Sequence, residues 1–223
     1  MITKDIKSYL ASNYTDYLKS VSELSKSDNG KILVKDEREL YCFDGITEAL
    51  YPQKTPESAD AVYASDKKIF FVEYKSGFKK KITKENFDKR RMSCYENEEK
   101  YCEAYAELFF KNQKNENKGL YHSLQFKAVE SYMTFFKEIV PKSDEDEEKT
   151  GKLLIYCVVV DDYVESMEDI LNDLAKKSSE TNTMENIRNS FSRFRTTSNK
   201  DYYYDDIKVF SPHEFIEFMN QNM

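Results

Sequence analysis

Asp60, Glu73 and Lys75 fall within the segment SADAVYASDKKIFFVEYKSG, Ser58 to Gly77, and together they are residue types that can hold a hard cation and offset developing negative charge. Their setting is unusual, because a run as apolar as Ile-Phe-Phe-Val (69–72) carries Glu73 and Lys75 at its far end. DAVYA and KIFFVEYK read as two strands around a Ser-Asp-Lys-Lys turn. A tight turn at Asp66-Lys67 or a four-residue loop over 65–68 gives the same antiparallel register, with Ala64 facing Ile69 and Asp60 facing Glu73. Directly opposed residues have Cβ atoms about 5 Å apart, and Lys75, two positions beyond Glu73, shares its face.

Two carboxylates at that separation repel by about 3 kcal/mol in surroundings of intermediate polarity, so an apolar sheet would not hold them together without compensating positive charge. A divalent cation is one answer: Mg²⁺ takes one or two carboxylates, keeps several waters and leaves positions for phosphate oxygens. Lys75 alone is the other, and it would make the group a structural ion cluster at a sheet edge. The (D/E)-x-K spelling does not decide between them, since it recurs at Asp5, Asp66, Glu98, Glu116, Glu147 and Asp206. Glu73 to Lys75 is distinguished by ending an apolar strand, following a strand with Asp at matching register, and preceding Gly77, which frees the backbone.

The surrounding elements form a mixed α/β pattern. Ile6, Leu10, Tyr14, Tyr17, Val21 and Leu24 recur at helical spacing and predict one amphipathic helix from Lys4 to Ser25, closed by Asn29-Gly30. KILV (31–34) and LYCF (40–43) read as short strands, and 46–51 as a helical turn stopped by Pro52. Asn86 to Gln113 is a charged helix with an apolar side, broken by KNENKG. Ser123 to Val140 is a further helix, buried between layers and ended by Pro141. The run LLIYCVVV (153–160), rich in β-branched residues, predicts a strand in the middle of a sheet, covered on both faces. Capping patterns open helices near Ser166 and at Ser211-Pro212, and 206–210 is a strand feeding the last helix.

With 223 residues the chain suits a single domain, and 39% hydrophobic with 14% aromatic residues supplies a core despite 34% charged content. The segment 143–152 is acidic and reads as a solvated loop. No apolar run reaches the roughly 20 residues of a membrane helix and no signal peptide is legible, so a soluble, cytoplasmic protein without membrane association is the expectation. Cys42, Cys94, Cys102 and Cys157 are too scattered for a zinc site or a disulfide framework and are expected to be reduced. With only His122 and His213, a histidine-rich metal centre is excluded and a histidine triad disfavoured. A net charge of -7 opposes indiscriminate polyanion binding, so any nucleic-acid contact must be local.

The arrangement of Asp60, Glu73 and Lys75 resembles the PD-(D/E)XK nuclease superfamily, built on a helix, a three-stranded antiparallel meander, a helix and a further strand. In that family the first acidic residue lies on the second strand and the E-x-K on the third. The resemblance extends from about Leu40 to Val160. It implies a restriction-endonuclease-like fold over 1–223, a central mixed sheet flanked by helices with a helical insertion at about 85–120. It further implies Mg²⁺- or Mn²⁺-dependent phosphodiester hydrolysis, with Asp60 and Glu73 as metal ligands and Lys75 positioning or activating water. Ala59 stands where many members have proline. For the acidic residue that many members carry on the first helix, Glu23 and Glu48 are both candidates.

Directly after the motif, Lys79, Lys80, Lys81 and Lys84, followed by Lys89, Arg90 and Arg91, form the strongest local excess of positive charge. They are the expected nucleic-acid contacts if they border the metal patch. A solvated loop and helix start is the plainer reading of each single lysine. Arg188, Phe191, Arg193, Phe194 and Arg195 form a second basic and aromatic cluster, with Tyr202 to Tyr204 as candidate stacking surfaces. Gln125 and Lys127 lie on the helix expected to flank the site and could take part in it. DNA is the expected partner, and two-strand cutting commonly uses a homodimer. The competing expectation is a catalytically inactive module of this fold that binds a protein or nucleic-acid partner.

Overall fold

The two most apolar runs of the chain lie side by side. In the computed structural model, which describes residues 5–76, 119–143, 152–160, 187 and 203–223, strand β4 (Lys68–Lys75) pairs in parallel with strand β5 (Leu153–Val160), from Lys68 opposite Leu153 to Lys75 opposite Val160. Seven of the eight β5 residues are buried, because both sheet faces are covered here. They are interior strands of a six-stranded sheet, which runs in the order β1 (Leu18–Ser20), β2 (Glu39–Cys42), β3 (Ala61–Ala64), β4, β5 and β6 (Asp206–Phe210), with β5 next to the edge strand β6. Strands β1 to β4 form an antiparallel meander, and β4 to β6 are parallel. This is an α/β fold around a mixed open sheet.

Side-chain alternation along β4 splits the core in two. Ile69 and Phe71 face a layer with Ile6 and Leu10 of helix α1 (Ile6–Asn13), Phe43 and Ile46 of helix α3 (Phe43–Leu50), and Leu124 and Ala128 of helix α4 (119–134). Phe70 and Val72 face the other layer, formed by Val21 of the short helix α2 (Val21–Leu24) and by Phe215, Phe218 and Met219 of helix α5 (Pro212–Asn222). Phe71 centres the first layer, with ring centroids 5.1 Å from Phe43, 5.2 Å from Phe135 and 6.0 Å from Tyr204. Helix α4 continues through a π-helical turn at Phe135–Ile139 into a 3-10 turn at Val140–Lys142 that carries Pro141 within it, so the helical segment expected to stop at Pro141 ends at Lys142.

The helix expected over 4–25 is a chain of four pieces. After Asn13 the side chains of Asn13 and Thr15 accept the role of closing α1, donating to the carbonyls of Tyr9 and Ala11. A 3-10 turn (Thr15–Tyr17) follows, then β1, whose Leu18 to Ser20 pair with Glu39 to Tyr41. Ser20 starts α2 through a capping box with Glu23. Helical periodicity thus holds over the stretch while edge-strand pairing takes residues 18–20. KILV forms no strand: its Ile32 makes one isolated bridge with Lys26, and Val34 is fixed by Ser25 Oγ. Phe43 leaves the strand read at 40–43 to open α3, which begins before the helical turn expected at 46–51.

The register expected between β3 and β4 is present, with Ala64 opposite Ile69. So are β6 and the Ser211 capping box with Pro212 in the first helical turn. Cys42 and Cys157 are free thiols, whereas Cys94 and Cys102 lie outside the described residues. Also outside them are most of the expected insertion at 85–120, all but the two end residues of the acidic loop at 143–152, and the helix expected after Ser166. Among the described residues no helix is long and apolar enough to cross a membrane.

Candidate functional site

The β3–β4 ladder brings the acidic pair together. Ala61 pairs with Val72, and one step outward Asp60 comes opposite Glu73. Asp60 is fixed twice: its carbonyl accepts the Phe43 N–H at 3.0 Å, and its Oδ2 accepts the Tyr74 N–H at 2.6 Å. The pair lies at the carboxyl end of β4, the strand at which the antiparallel half of the sheet meets the parallel half. In open α/β sheets, ligand sites gather outside such strand ends where the topology switches.

Among the described residues, the cation nearest to the pair is not Lys75. Lys127 Nζ, from α4, lies 2.9 Å from Glu73 Oε2 and 3.3 Å from Asp60 Oδ1, while Lys75 Nζ is 4.0 Å from Glu73 Oε1. Glu73 is only 1% exposed, so these contacts are made away from bulk water, where an unpaired carboxylate would be expensive. Ser131, one turn after Lys127, holds α4 in place. Its buried Oγ donates to the Lys127 carbonyl and accepts the Ala59 N–H at 2.8 Å, tying the lysine-bearing turn to the residue before Asp60.

Burial, then the neighbouring Asp60, raises the Glu73 carboxyl well above its ordinary range, and Lys127 pulls against both. Asp60 is pushed up to about 6, first by burial, with Lys127 and the Tyr74 N–H opposing. Burial alone would depress the Lys127 ammonium, but Glu73 and Asp60 lift it above its usual value, so it stays charged. The cluster therefore gathers high carboxyl proton affinity around one fixed positive charge.

A third acid reaches this group from α3. Asp44, in the first turn, accepts a hydrogen bond from the buried Ser58 hydroxyl, two residues before Asp60. Burial raises its carboxyl, while Ser58 and Lys127 act to lower it, and it interacts directly with the Asp60 carboxyl. Neither first-helix candidate occupies this position. Glu23 is spent on the Ser20 backbone and hydroxyl in the α2 capping box, and Glu48, one turn beyond Asp44, is exposed. The legible signal for Asp44 was an acid in the first turn of a helix that directly follows a strand.

The expected contacts Lys79, Lys80, Lys81 and Lys84 lie outside the described residues, as do Arg188, Phe191, Arg193, Phe194, Arg195 and Tyr202. Tyr204 is a core residue instead of a stacking surface: it is buried and its hydroxyl donates to the Ala128 carbonyl at 2.7 Å. Tyr203 packs edge-on against Tyr132. Gln125 is half-buried on α4. Asp206 and Lys208, the other strand-borne D-x-K, pair with each other at 3.1 Å on β6.

Asp60 and Glu73 are the pair that could hold a metal ion, as two oxygen donors on neighbouring strands. Among the described residues no group of three or more His, Cys, Asp or Glu is placed to hold a metal ion. A cation here would draw most of its shell from water and substrate, a mode that suits Mg²⁺. Comparison of the chain with family models, with curated proteins and with solved structures yields no match.

Proposed function

We propose that this chain is a metal-dependent nuclease of the PD-(D/E)XK type, hydrolysing phosphodiester bonds with DNA as substrate. The observation that carries the reading is the convergence of Asp60 and Glu73 on one cation position, beside Lys75, at the carboxyl end of β4. The order of elements is a second support: β2, β3 and β4 are successive antiparallel neighbours, with α3 between β2 and β3, and helix α4 and the parallel strand β5 come later in the chain, as a restriction-endonuclease-like core with an added helix would require.

In this reading Asp60 and Glu73 would hold Mg²⁺ or Mn²⁺. The ion would supply Lewis-acid polarisation of the phosphate. The chain's own residues do the rest. Tyr74 N–H fixes the Asp60 carboxylate, and Lys75, with its side chain 23% exposed, orients water and offsets charge developing on the phosphate. Lys127 holds the two carboxylates in place at 2.9 and 3.3 Å, and would have to give up these contacts to a bound cation. The lysines at 79–81 and 84 are the proposed backbone contacts, and a homodimer would cut both strands.

One observation favours a second reading. Lys127 already compensates both carboxylates, as in a fold-retaining module that binds a partner without hydrolysis. Incubation of the purified protein with circular and linear DNA in Mg²⁺ or Mn²⁺, beside Asp60→Ala and Glu73→Ala, separates the two. The nuclease reading expects cleavage by the wild type that both substitutions abolish. Cleavage surviving both would sink the site, and absence of both cleavage and calorimetric metal binding would establish the module.

A further inference from the structure

Around the sheet end from the carboxylate pair, on the α2 side, lies a cavity of about 110 Å³. A single water needs roughly 10–15 Å³, so the space accommodates an anion the size of phosphate with part of its hydration shell. Leu24 and Leu33 form the apolar part of its lining, Lys26, Ser27 and Lys31 the basic and hydroxyl-bearing part, and Asp60 the side towards the candidate site.

The lysines owe their place to a tight turn. Gly30 N–H donates to the Ser27 carbonyl at 2.8 Å, and Ser27 N–H to the Lys31 carbonyl at 2.9 Å. Gly30 takes a φ of 83°, a left-handed conformation that favours glycine, and Lys26 then bridges Ile32 across the turn. Lys26 makes no ion pair among the described residues, although the chain is acidic overall. An exposed cation beside a polar cavity is a strong attractor for an anion, and Asp60, the carboxylate in the cavity lining, is already compensated by Lys127. Ser76, at the end of β4, joins the lining, so the cavity opens at the same strand end as Glu73 and Lys75.

We propose that this cavity, with Lys26 and Lys31, is a subsite for a phosphate of the nucleic-acid backbone next to the one that is cut. The inference rests on the nuclease reading for its substrate. A strand crossing the carboxyl ends of β3's neighbours would leave one phosphate over Asp60 and Glu73 and seat an adjacent one between the lysines. The basic contact is thus made by a turn early in the chain, in addition to the lysine-rich segment after the motif.

The test uses the full chain and two probes. Inorganic phosphate is titrated against ¹⁵N-labelled protein while the amide signals of Lys26, Ser27 and Lys31 are followed. A fluorescent single-stranded oligonucleotide is titrated in EDTA, so that binding is read without cleavage. Saturable shifts at the three amides are expected, and Lys26→Ala/Lys31→Ala should weaken oligonucleotide binding about tenfold and lower the salt slope by about one. Lys67→Ala, an exposed lysine at the opposite end of the β3–β4 hairpin, controls for lost charge and should leave both unchanged. Absent shifts, or a double variant that binds with wild-type affinity and slope, overturn the subsite even if the protein cleaves DNA. Shifts and a reduced slope in a protein that does not cleave DNA uphold the subsite and sink the nuclease reading alone.

Discussion

Lys127 and Glu73, 54 residues apart in the chain, form a 2.9 Å contact at a carboxylate that is 1% exposed. The helix crossing between β4 and β5 thereby inserts a positive charge into the acidic end of the meander. Glu73 would otherwise sit in a low-polarity setting beside Asp60 with Lys75 at the limit of ion-pair distance. Removing one partner of a buried pair leaves the other uncompensated, which costs more than the pair itself contributes.

Lys127→Met should therefore destabilise the fold by about 3 kcal/mol at neutral pH, measured by denaturant unfolding. A cation that binds the two carboxylates can replace the lost ammonium, and a ligand that binds only the folded state stabilises it. Added Mg²⁺ is expected to raise the melting temperature of Lys127→Met more than that of the wild type. An unchanged variant, or one that Mg²⁺ leaves unaffected, would remove the shared cation position from the argument.

The same cluster sets a pH dependence of definite sign. The Asp60 carboxyl, raised from 3.8 to about 6 in the folded protein, holds a proton that the unfolded chain has already released. Its contribution to stability is present below the unfolded value and is lost as pH rises through the folded one, and Glu73, raised by burial and then by Asp60, extends that loss upward. Wild-type stability should fall relative to Asp60→Asn between about pH 4 and 6, by at most about 3 kcal/mol. Parallel profiles for the two proteins would contradict it.

Much of this arrangement was legible because it is local. Asp60, Glu73 and Lys75 lie within one hairpin, and period-2 alternation fixes their register once the turn is located, which is why Ala64 opposite Ile69 could be read directly. The β-branched run 153–160 likewise announces a strand buried on both faces. Lys127 is different: its approach depends on how α4 packs over the sheet, which Ser131 and the Ala59 N–H determine and no short-range pattern records. Asp44 was obscured for a related reason, since a strand reading of LYCF carried the chain through Phe43 and hid the helix start. Residues 18–20 show the converse, where tertiary pairing with β2 overrides a helical period.

Asp44 gives the third test. It touches the site through Ser58 and Asp60, so its expected effect is on how well the acidic pair holds a cation more than on folding. Asp44→Asn retains an acceptor for the Ser58 hydroxyl while removing the charge. Calorimetric Mg²⁺ affinity should fall about tenfold, the lower range for residues that orient metal ligands, with a melting temperature close to wild type. Unaltered affinity with a lowered melting temperature would make Asp44 a purely structural acid.

The two lysines should separate by what they lose. Lys75 Nζ is 4.0 Å from Glu73 Oε1 and its side chain is 23% exposed, so it has weak hold on the resting cluster and room to swing towards a substrate. Exposed or loosely held ion pairs contribute about 1 kcal/mol or less to stability. A cation aimed at developing charge on a phosphate can be worth about a hundredfold or more in rate. Lys75→Met is thus expected to fold with nearly wild-type stability and to bind DNA normally in EDTA, yet to cleave at least about a hundredfold more slowly in single-turnover reactions. Lys127→Met should show the stability loss first. If instead Lys75→Met cleaves at the wild-type rate and Lys127→Met, assayed where it remains folded, does not, then the lysine that serves the reaction comes from α4 and the E-x-K spelling on β4 is incidental.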